Sequence, residues 1–450
     1  MEAKPSVSFW QRNAVLIKAI VVGFLILVLL IPNAFITDLV RERQQRQTEV
    51  ITEVSSKWAS AQTITGPFLL VPYKEMVTTE KGKTEAVRKL AYFLPDQLKV
   101  NGTLFPEIRH RSIFQIVLYK SDLQVSGVFQ KPDMAALGIP AENVFWNEVS
   151  FCVGLTDNRG IAEALRLRVN EEETDMNAGV PENMLAASGV NAPMSVFTKQ
   201  GMSQASFSLR LQLKGSERLY FTPVAKETDV QLSASFSNPS FDGKFLPVAS
   251  SLSDTGFKAH WNVLHFTRDI PQSWTNREVD VDKHEFGVQL LQGVDSYSKT
   301  MRTVKYALLF ISLTFFLFFF IELLKKTSVH PLQYILVGFA LSIFYTLLLS
   351  IGEYTGFNSA YLIATVATVG LITFYTRSVF GQWPVAIALF VFLTALYSFI
   401  YILIQLQDGA LLFGSIGLFV LLAIVMYYSR KVDWYGTKKE TEAELNSHQQ

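Results

Sequence analysis

Two glutamates beside long apolar runs are the residues whose type and position first suggest chemistry. Glu353 lies in GEYTGF at the end of one run, and Glu322 closes another. A carboxylate deep in a bilayer is costly and typical of proton relays, whereas one at a helix end marks where the helix leaves the lipid. Glu353 follows Pro331 by 22 residues, which is roughly 30 Å along a helix at ~1.5 Å per residue. The spacing predicts that Glu353 lies at the membrane surface.

Glu322 has the same interpretation at the opposite surface. Lys325 and Lys326 follow it at helical spacings that allow ion pairs. No apolar run carries Asp, Glu, Arg or His near its centre, which argues against an ion-coupled transporter. Gln405 and several Ser, Thr and Tyr residues are the polar groups expected within lipid depth, and such residues more often hold helices together than line a pathway.

Other chemical motifs are missing from the sequence. It has no phosphate-binding glycine loop, HExxH, paired CxxC or nucleophile elbow. His260 and His265 are five apart, so in a strand they point to opposite faces and are poor joint metal ligands. The single cysteine, Cys152, is predicted to be a buried strand residue. We therefore predict no catalytic residues, metal or cofactor, and favour a protein that is not an enzyme.

Apolar residues concentrate at the two ends of the 450-residue chain, which has a mean hydropathy of +0.24 and a formal charge of +1. Basic residues are dispersed, which argues against a nucleic-acid partner. Six runs have the ~20 apolar residues that a membrane crossing needs. We predict an α-helical integral membrane protein with six transmembrane helices at 14–36, 306–323, 332–351, 359–376, 384–404 and 409–428.

The flanking charges predict the orientation, because cytoplasmic segments are rich in Lys and Arg. On the side of the N-terminus (1–13) and the C-terminal tail (429–450) lie Lys4, Arg12, Lys325, Lys326, Arg377, Arg430, Lys431, Lys438 and Lys439. The two short outer loops carry only Glu353 and Asp408. Three arginines lie on the outer side of the first span, against this pattern: Arg41, Arg43 and Arg46. Long exported domains cross the membrane largely independently of their charge, so these residues do not change the prediction. Both termini are therefore predicted to be cytoplasmic, with the large domain outside.

The outer region begins with a predicted stalk helix, 37–65. Val50, Ile51, Val54, Trp58 and Ala61 recur at spacings of three and four, the apolar stripe of a helix. An amphipathic helix lying on the membrane surface is the alternative. The residues Gly66 and Pro67 are predicted to end it.

From 66 to 303 the pattern changes to period two. SFSLRLQLKG and DVQLSASFS alternate apolar and polar residues, which predicts antiparallel sheets with one wet face and a β-rich, sandwich-like domain inserted between the first two spans. Asn101-Gly102 is the strongest short hairpin signal. The acidic segment 170–189 is predicted to be a loop or lid.

Several segments resemble the CreD family of bacterial inner-membrane proteins, in the same order along nearly the whole chain. They are GPFLLVP (66–72), FLP followed by DTGFKAHW (245–261), VKYALLFISLTFFLFFFIE (304–322), HPLQYILVGFALSIFYTLLLSIGEYTGF (330–357) and KVDWY (431–435).

The resemblance implies a multi-pass protein of the inner membrane with a periplasmic domain and a role in envelope integrity. It also implies expression under a two-component system and links to colicin tolerance and β-lactam response. It brings no catalytic residues. The candidate structural or functional residues of the signature run are His330, Pro331, Gln333, Gly352, Glu353 and Gly356. The first and last glycines of GEYTG have the GxxxG spacing of a helix-packing motif, although it overlaps the exit turn.

Three functions remain open on the sequence. The leading hypothesis is a non-enzymatic envelope protein whose partners are the bilayer and a periplasmic or cell-wall component. A transporter or permease-like protein for an envelope metabolite is the first alternative, with Glu353 at the outer mouth of a cavity. A membrane enzyme with a site between domain and bundle is the second.

Overall fold

The computed structural model describes residues 14–78, 84–181, 185–198, 202–275, 277, 279–290, 296–325, 327–406 and 409–430. The chain divides into two compact units. We call residues 1–46 and 294–450 the membrane unit, and residues 47–293 the β-rich unit.

The α-helices of the described residues are α1 (Ala14–Trp58), α2 (Ser296–Lys305), α3 (Ala307–Lys325), α4 (Pro331–Thr355), α5 (Phe357–Phe380), α6 (Trp383–Gln405) and α7 (Ala410–Ser429).

Five helices in the described part of the chain, α1, α3, α4, α5 and α6, are long and apolar enough to cross a membrane. The predicted number of six is therefore wrong. The last predicted span, 409–428, falls on α7, which is not one of these five helices. None of the described side chains of α7 is buried.

Helix α1 is longer than predicted for a span followed by a separate stalk. It continues without a break to Trp58, and β-structure begins at Gln62. The prediction that Gly66 and Pro67 end the helix is therefore wrong, because both lie inside a strand. The six buried side chains of the first part of α1 recur every three or four residues, the pattern of a helix that packs along one face: Val22, Leu25, Leu29, Asn33, Ile36 and Val40.

The strands of the β-rich unit are β1 (Gln62–Thr78), β2 (Thr84–Phe93), β3 (Gln97–Arg111), β4 (Phe114–Gln130), β5 (Ser150–Leu155), β6 (Arg166–Val169), β7 (Glu172–Asp175), β8 (Asn177–Ala178), β9 (Gly189–Pro193), β10 (Gln204–Ser216), β11 (Arg218–Thr222), β12 (Glu227–Ala234), β13 (Pro239–Gly243), β14 (Ala249–Ser253), β15 (Gly256–Leu264), β16 (Ser273–Thr275) and β17 (Phe286–Leu290).

These strands form two sheets. The first has the order β13-β17-β11-β1-β5-β9-β8, with β2 paired to β1 and β16 to β2. The second has the order β14-β15-β12-β3-β4-β10-β6-β7. The strand pairs of the described residues are antiparallel, as predicted, except β1–β11 and β3–β12, which are parallel. Alternation of side chains reports which face is wet, and it carries no information about the direction of the neighbouring strand.

The two sheets pack face to face around one hydrophobic core, consistent with the predicted sandwich. Rings from opposite sheets touch: Phe207 of β10 is 5.3 Å from Phe151 of β5, and Trp261 of β15 is 5.8 Å from Phe286 of β17. Cys152 of β5 is fully buried, as its sequence context predicted. The side chains of β10 alternate between core and solvent as predicted, and its leucines are buried in the core.

The hairpin prediction at Asn101-Gly102 is wrong, because both residues lie in the middle of β3. Gly102 is paired with Leu123 of β4 and Leu232 of β12, and a Cβ at position 102 would clash with both leucine side chains. The glycine is needed for close packing on the inner face of the sheet and not for a turn.

The acidic segment 170–189 was predicted to be a loop or lid. In its described part it contributes β7 and β8, which are the last strands at one edge of each sheet. Edge strands tolerate exposed charges because one side of their backbone faces solvent. Residues 182–184 lie outside the described part of the chain.

Candidate functional site

Glu353 lies in the last turn of α4, two residues before the helix ends. Only 12% of its side chain is exposed. The Tyr297 hydroxyl of α2 donates a hydrogen bond to Glu353 Oε1 at 3.1 Å, and Arg43 Nε of α1 lies 3.8 Å from the same oxygen. The carboxylate is therefore paired within the membrane unit. Helix α2 was not predicted, although Tyr297, Thr300 and Val304 have the spacing of a buried helical face.

Gly352 and Gly356 form the junction between α4 and α5. The Gly356 N–H donates to the Gly352 carbonyl at 3.1 Å, and Gly356 has a φ of 78°, a conformation that favours glycine. A Cβ at position 352 would meet the Ala360 Cβ at an ordinary 3.7 Å. The two glycines thus turn the chain between consecutive helices.

His330, Pro331 and Gln333 form the beginning of α4. The His330 Nδ1 accepts a hydrogen bond from the Leu332 N–H at 3.2 Å, and the His330 N–H donates to Gln333 Oε1 at 2.9 Å. Pro331 occupies the first helical position, where its missing N–H costs nothing. These three residues satisfy the backbone at the helix start.

Glu322 is buried, with 4% of its surface exposed, and has partners that the sequence analysis did not find. Its carboxylate is paired with the Lys18 ammonium of α1. It also accepts hydrogen bonds from the Val329 N–H at 2.8 Å and the Tyr334 hydroxyl at 2.9 Å.

The structure therefore corrects the predicted partners of Glu322. The carboxylate is paired with Lys18 of α1 and not with Lys325, while Lys326 lies outside the described residues. The turn after α3 brings Val329 and Tyr334 onto the same carboxylate, which no spacing along one helix can show.

A third contact lies between these two ion pairs along α1. Leu29 is 2% exposed, and a Cβ at Gly338 of α4 would clash with its side chain. We call the pairs Lys18–Glu322, Leu29–Gly338 and Arg43–Glu353 the α1 clamp. Lys18 and Arg43 are 25 residues apart, about 37 Å along the helix at ~1.5 Å per residue, slightly more than the ~30 Å hydrocarbon thickness. The clamp therefore holds the part of α1 between Lys18 and Arg43 at both of its ends and near its middle.

An aromatic cluster fills the middle of the membrane unit. The rings of Phe310, Phe344 and Tyr397 lie 4.4 Å to 6.0 Å apart. Tyr361 donates its hydroxyl to the Tyr397 carbonyl at 2.8 Å, while the Tyr345 hydroxyl has no partner among the described residues. Rigid packing accounts for this cluster, which carries no carboxylate or base for proton transfer.

Asn33 is a polar residue of α1 that sequence reasoning missed. Its side chain is buried, and its Oδ1 finds no hydrogen-bond donor in the described part of the chain. The sequence does show that Asn33, directly after Pro32, is a polar residue within an apolar run.

The structure places Cys152, His260 and His265 of the β-rich unit in three different elements. His260 Nε2 is 2.6 Å from Asp229 Oδ2, and His265 lies in the following short helical turn. No group of three metal-ligating side chains occurs among the described residues. Burial raises the pKa of the Cys152 thiol to about 12, so the reactive thiolate is suppressed at neutral pH.

A concave surface of about 660 Å³ lies on the outer face of the second sheet. We call it the sheet cleft. Its floor is formed by outward side chains of β3, β4, β12, β14 and β15. In the register of the sheet, Gln124, Asn101 and Gln231 lie side by side on adjacent strands. The next outward row begins with Asp122, Thr103 and Ser233.

The charges at the sheet cleft are mostly neutralised within the protein. Arg210 binds Asp122 through two hydrogen bonds of 2.9 Å and 2.6 Å, which holds the pKa of that carboxyl below its usual value. His260 contacts Asp229. Lys258 is the cation of the lining without an ion pair among the described residues. The cleft therefore presents amides and hydroxyls more than charge.

The comparison with known proteins gives the family. A family model described as "Inner membrane protein CreD" matches residues 14–435. The chain belongs to the CreD family. It is also 29% identical over 423 residues to "Inner membrane protein CreD" of Escherichia coli (strain K12), with 91% of each chain covered. The resemblance predicted from the signature segments is therefore confirmed, and the five apolar helices agree with an inner-membrane family.

Proposed function

We propose that this CreD-family protein is a non-enzymatic inner-membrane protein that supports the integrity of the cell envelope and its response to envelope stress and β-lactams. In this proposal the β-rich unit binds an envelope component, and the membrane unit anchors it. The observation that carries the proposal is the sheet cleft, a concave surface of about 660 Å³ whose lining is rich in hydrogen-bonding groups.

The lining supports binding because some of its polar groups are left for a ligand. The side chains of Asn101 and Gln124 make no hydrogen bond to another described residue, and Phe105 beside them is 55% exposed. Convergent polar groups next to an exposed ring are typical of ligand sites.

The proposed orientation places both termini in the cytoplasm and the β-rich unit in the periplasm. It is supported by the basic residues at one side of the spans, such as Lys325 at the end of α3 and Arg377 in the last turn of α5. The α1 clamp supports an anchoring role, since it ties the helix that precedes the β-rich unit to the other helices of the membrane unit.

The proposal is tested by complementation in a strain that lacks the gene, scoring sensitivity to detergent and to β-lactams. The cleft variant Asn101→Ala/Gln124→Ala/Gln231→Ala is compared with the control variant Gln115→Ala/Gln204→Ala, which changes exposed strand residues outside the cleft. At equal membrane levels, we expect the control to restore resistance and the cleft variant to fail. Full rescue by the cleft variant would contradict the proposal.

A transporter or permease is the second candidate function. The observation that favours it is a groove of about 620 Å³ between α5 and α6, with Tyr361, Thr365, Ser398 and Tyr401 in its lining. If the groove is a pathway, filling it with Ser398→Leu should abolish complementation while membrane insertion persists. Glu353→Gln should do the same if that carboxylate lies at the mouth. If both variants grow like the wild type, the transporter hypothesis is wrong and the anchoring role is favoured.

A further inference from the structure

The sheet cleft has a regular lining that identifies a class of ligand. This inference rests on the proposed function and deepens it. The carboxamides of Gln124, Asn101 and Gln231 come from β4, β3 and β12 in a single row across the sheet. Adjacent strands are about 4.8 Å apart, so an amide recurs at that interval along a line perpendicular to the strands.

A second row of hydroxyls runs parallel to the amides. Thr103 of β3 is paired with Ser233 of β12, Ser233 with Lys258 of β15, and Lys258 with Ser251 of β14. The hydroxyl oxygens of Thr103 and Ser233 lie 3.4 Å apart. The two rows give a ligand donors and acceptors along an extended path and not at a single point.

The two rows carry few unpaired charges. They consist of Asn, Gln, Ser and Thr together with Asp122 and Lys258, and His260 of β15 continues the amide row next to Gln231. Asp122 is already bound by Arg210. An uncharged ligand is therefore matched better than an anionic polymer or a nucleic acid, either of which requires a cluster of cations.

An exposed ring completes the lining. Phe105, two residues beyond Thr103 on β3, lines the cleft with 55% of its surface exposed. An apolar ring at the side of a polar cleft offers a flat surface to the C–H face of a sugar. Acetamido groups carry one N–H donor and one carbonyl acceptor, the same pair that an Asn or Gln side chain presents in reverse.

From these observations we propose that the sheet cleft binds an N-acetylated glycan chain that runs across β4, β3 and β12. Gln124 and Asn101 pair with acetamido groups and neighbouring hydroxyls. Gln231, whose Nε2 donates to Asp229 Oδ1 at 3.3 Å, offers its second amide hydrogen and its carbonyl oxygen. Phe105 supports one sugar ring. Thr103 and Ser233 contact the second edge of the chain.

The test is binding of chitohexaose to the full chain, measured by calorimetry in a detergent without a sugar headgroup, with cellohexaose as the matched sugar that lacks acetamido groups. We expect chitohexaose to bind and cellohexaose to bind at least about tenfold more weakly, the effect of losing one or more hydrogen bonds. Asn101→Ala and Phe105→Ala should each weaken the binding of chitohexaose about tenfold. The control Gln115→Ala, which lies on β4 outside the cleft, should leave the binding unchanged.

The outcomes separate the two proposals. Absence of chitohexaose binding by the wild-type protein, equal affinity for the two sugars, or unchanged binding by both cleft variants would overturn the glycan inference. If complementation still fails with the cleft variant in that case, the cleft binds a different envelope component and the proposed function stands. The unfolding temperatures of Asn101→Ala and Gln115→Ala should agree, because both side chains are exposed.

Discussion

Lys18 of α1 and Glu322 of α3 form an ion pair although 304 residues separate them. The carboxylate is buried and also accepts hydrogen bonds from the Val329 N–H and the Tyr334 hydroxyl. With three donors on one carboxylate, its charge is compensated without water. The pair joins the first helix of the described residues to α3, which follows the β-rich unit.

Substitution of Lys18 should destabilise the folded protein more than the partial exposure of this side chain suggests. In Lys18→Met, Glu322 stays buried without its cation, and breaking a buried pair in this way costs about 3–5 kcal/mol. We expect a markedly lower unfolding temperature of the detergent-solubilised chain, measured by the loss of its size-exclusion peak on heating.

The control for this prediction is Lys325→Met, which removes an exposed cation at the end of the same helix as Glu322. It should leave the unfolding temperature nearly unchanged. The variant Lys18→Met/Glu322→Gln should recover part of the loss, since an amide costs less to bury than an unpaired charge. Equal effects of the two lysine substitutions would contradict the buried ion pair.

The contact between Leu29 and Gly338 predicts a size-dependent defect. Gly338→Ala adds a methyl group where the Leu29 side chain already lies, so α1 and α4 must separate or repack, at about 1–3 kcal/mol. Leu29→Ala in the same chain should relieve the clash. Gly370→Ala is the matched control, because nothing lies within 4 Å of a Cβ at that position of α5. A double variant less stable than Gly338→Ala would rule out this contact.

Asp157 predicts how the β-rich unit responds to acid. Arg159 donates to its carboxylate at 2.9 Å and 2.7 Å, and the Ser60 N–H donates at 3.0 Å. These bonds hold the pKa of Asp157 below its usual value. Because the pKa is lowered by folding, the stabilisation is complete above about pH 4, the unfolded value, and is lost as pH falls further.

The variant Asp157→Asn should therefore lower the urea midpoint at pH 7 and flatten its decline between about pH 4 and pH 2. Tryptophan fluorescence of the full chain measures both. Asp254→Asn changes an exposed turn residue after β14 and should keep the acid dependence of the wild type. An unchanged slope in Asp157→Asn would assign the acid response to other groups.

Cys152 predicts a specific probe of the β-rich unit. The thiol is buried, and its pKa is raised to about 12, so a maleimide should label the native protein very slowly at pH 7 and rapidly in denaturant. Mass spectrometry counts the adducts. Gln115→Cys in a Cys152→Ala chain gives the exposed control on β4 and should react at once. Fast labelling of native Cys152 would show that the core around β5 opens readily.

The sequence pattern predicted correctly which strand side chains are buried, because that pattern depends only on whether a residue faces the core or water. The inward leucines of β10 and the burial of Cys152 follow from alternation between core and water. The same reasoning failed at Asn101-Gly102, because the need for a small residue under Leu123 and Leu232 arises from neighbouring strands. It also failed for β1, whose Gly66 and Pro67 imitate a helix end.

Apolar helices at both ends of the chain and a β-rich middle follow from the sequence alone, because lipid and water select side chains by local hydrophobicity and period. The sequence also identified the CreD family. The ion pairs of Glu322 and Glu353 became visible only in the folded chain, since their partners Lys18 and Arg43 lie on a helix far away in the sequence. The rows of the sheet cleft were likewise invisible, because strand order and register are set by long-range pairing and not by any one strand.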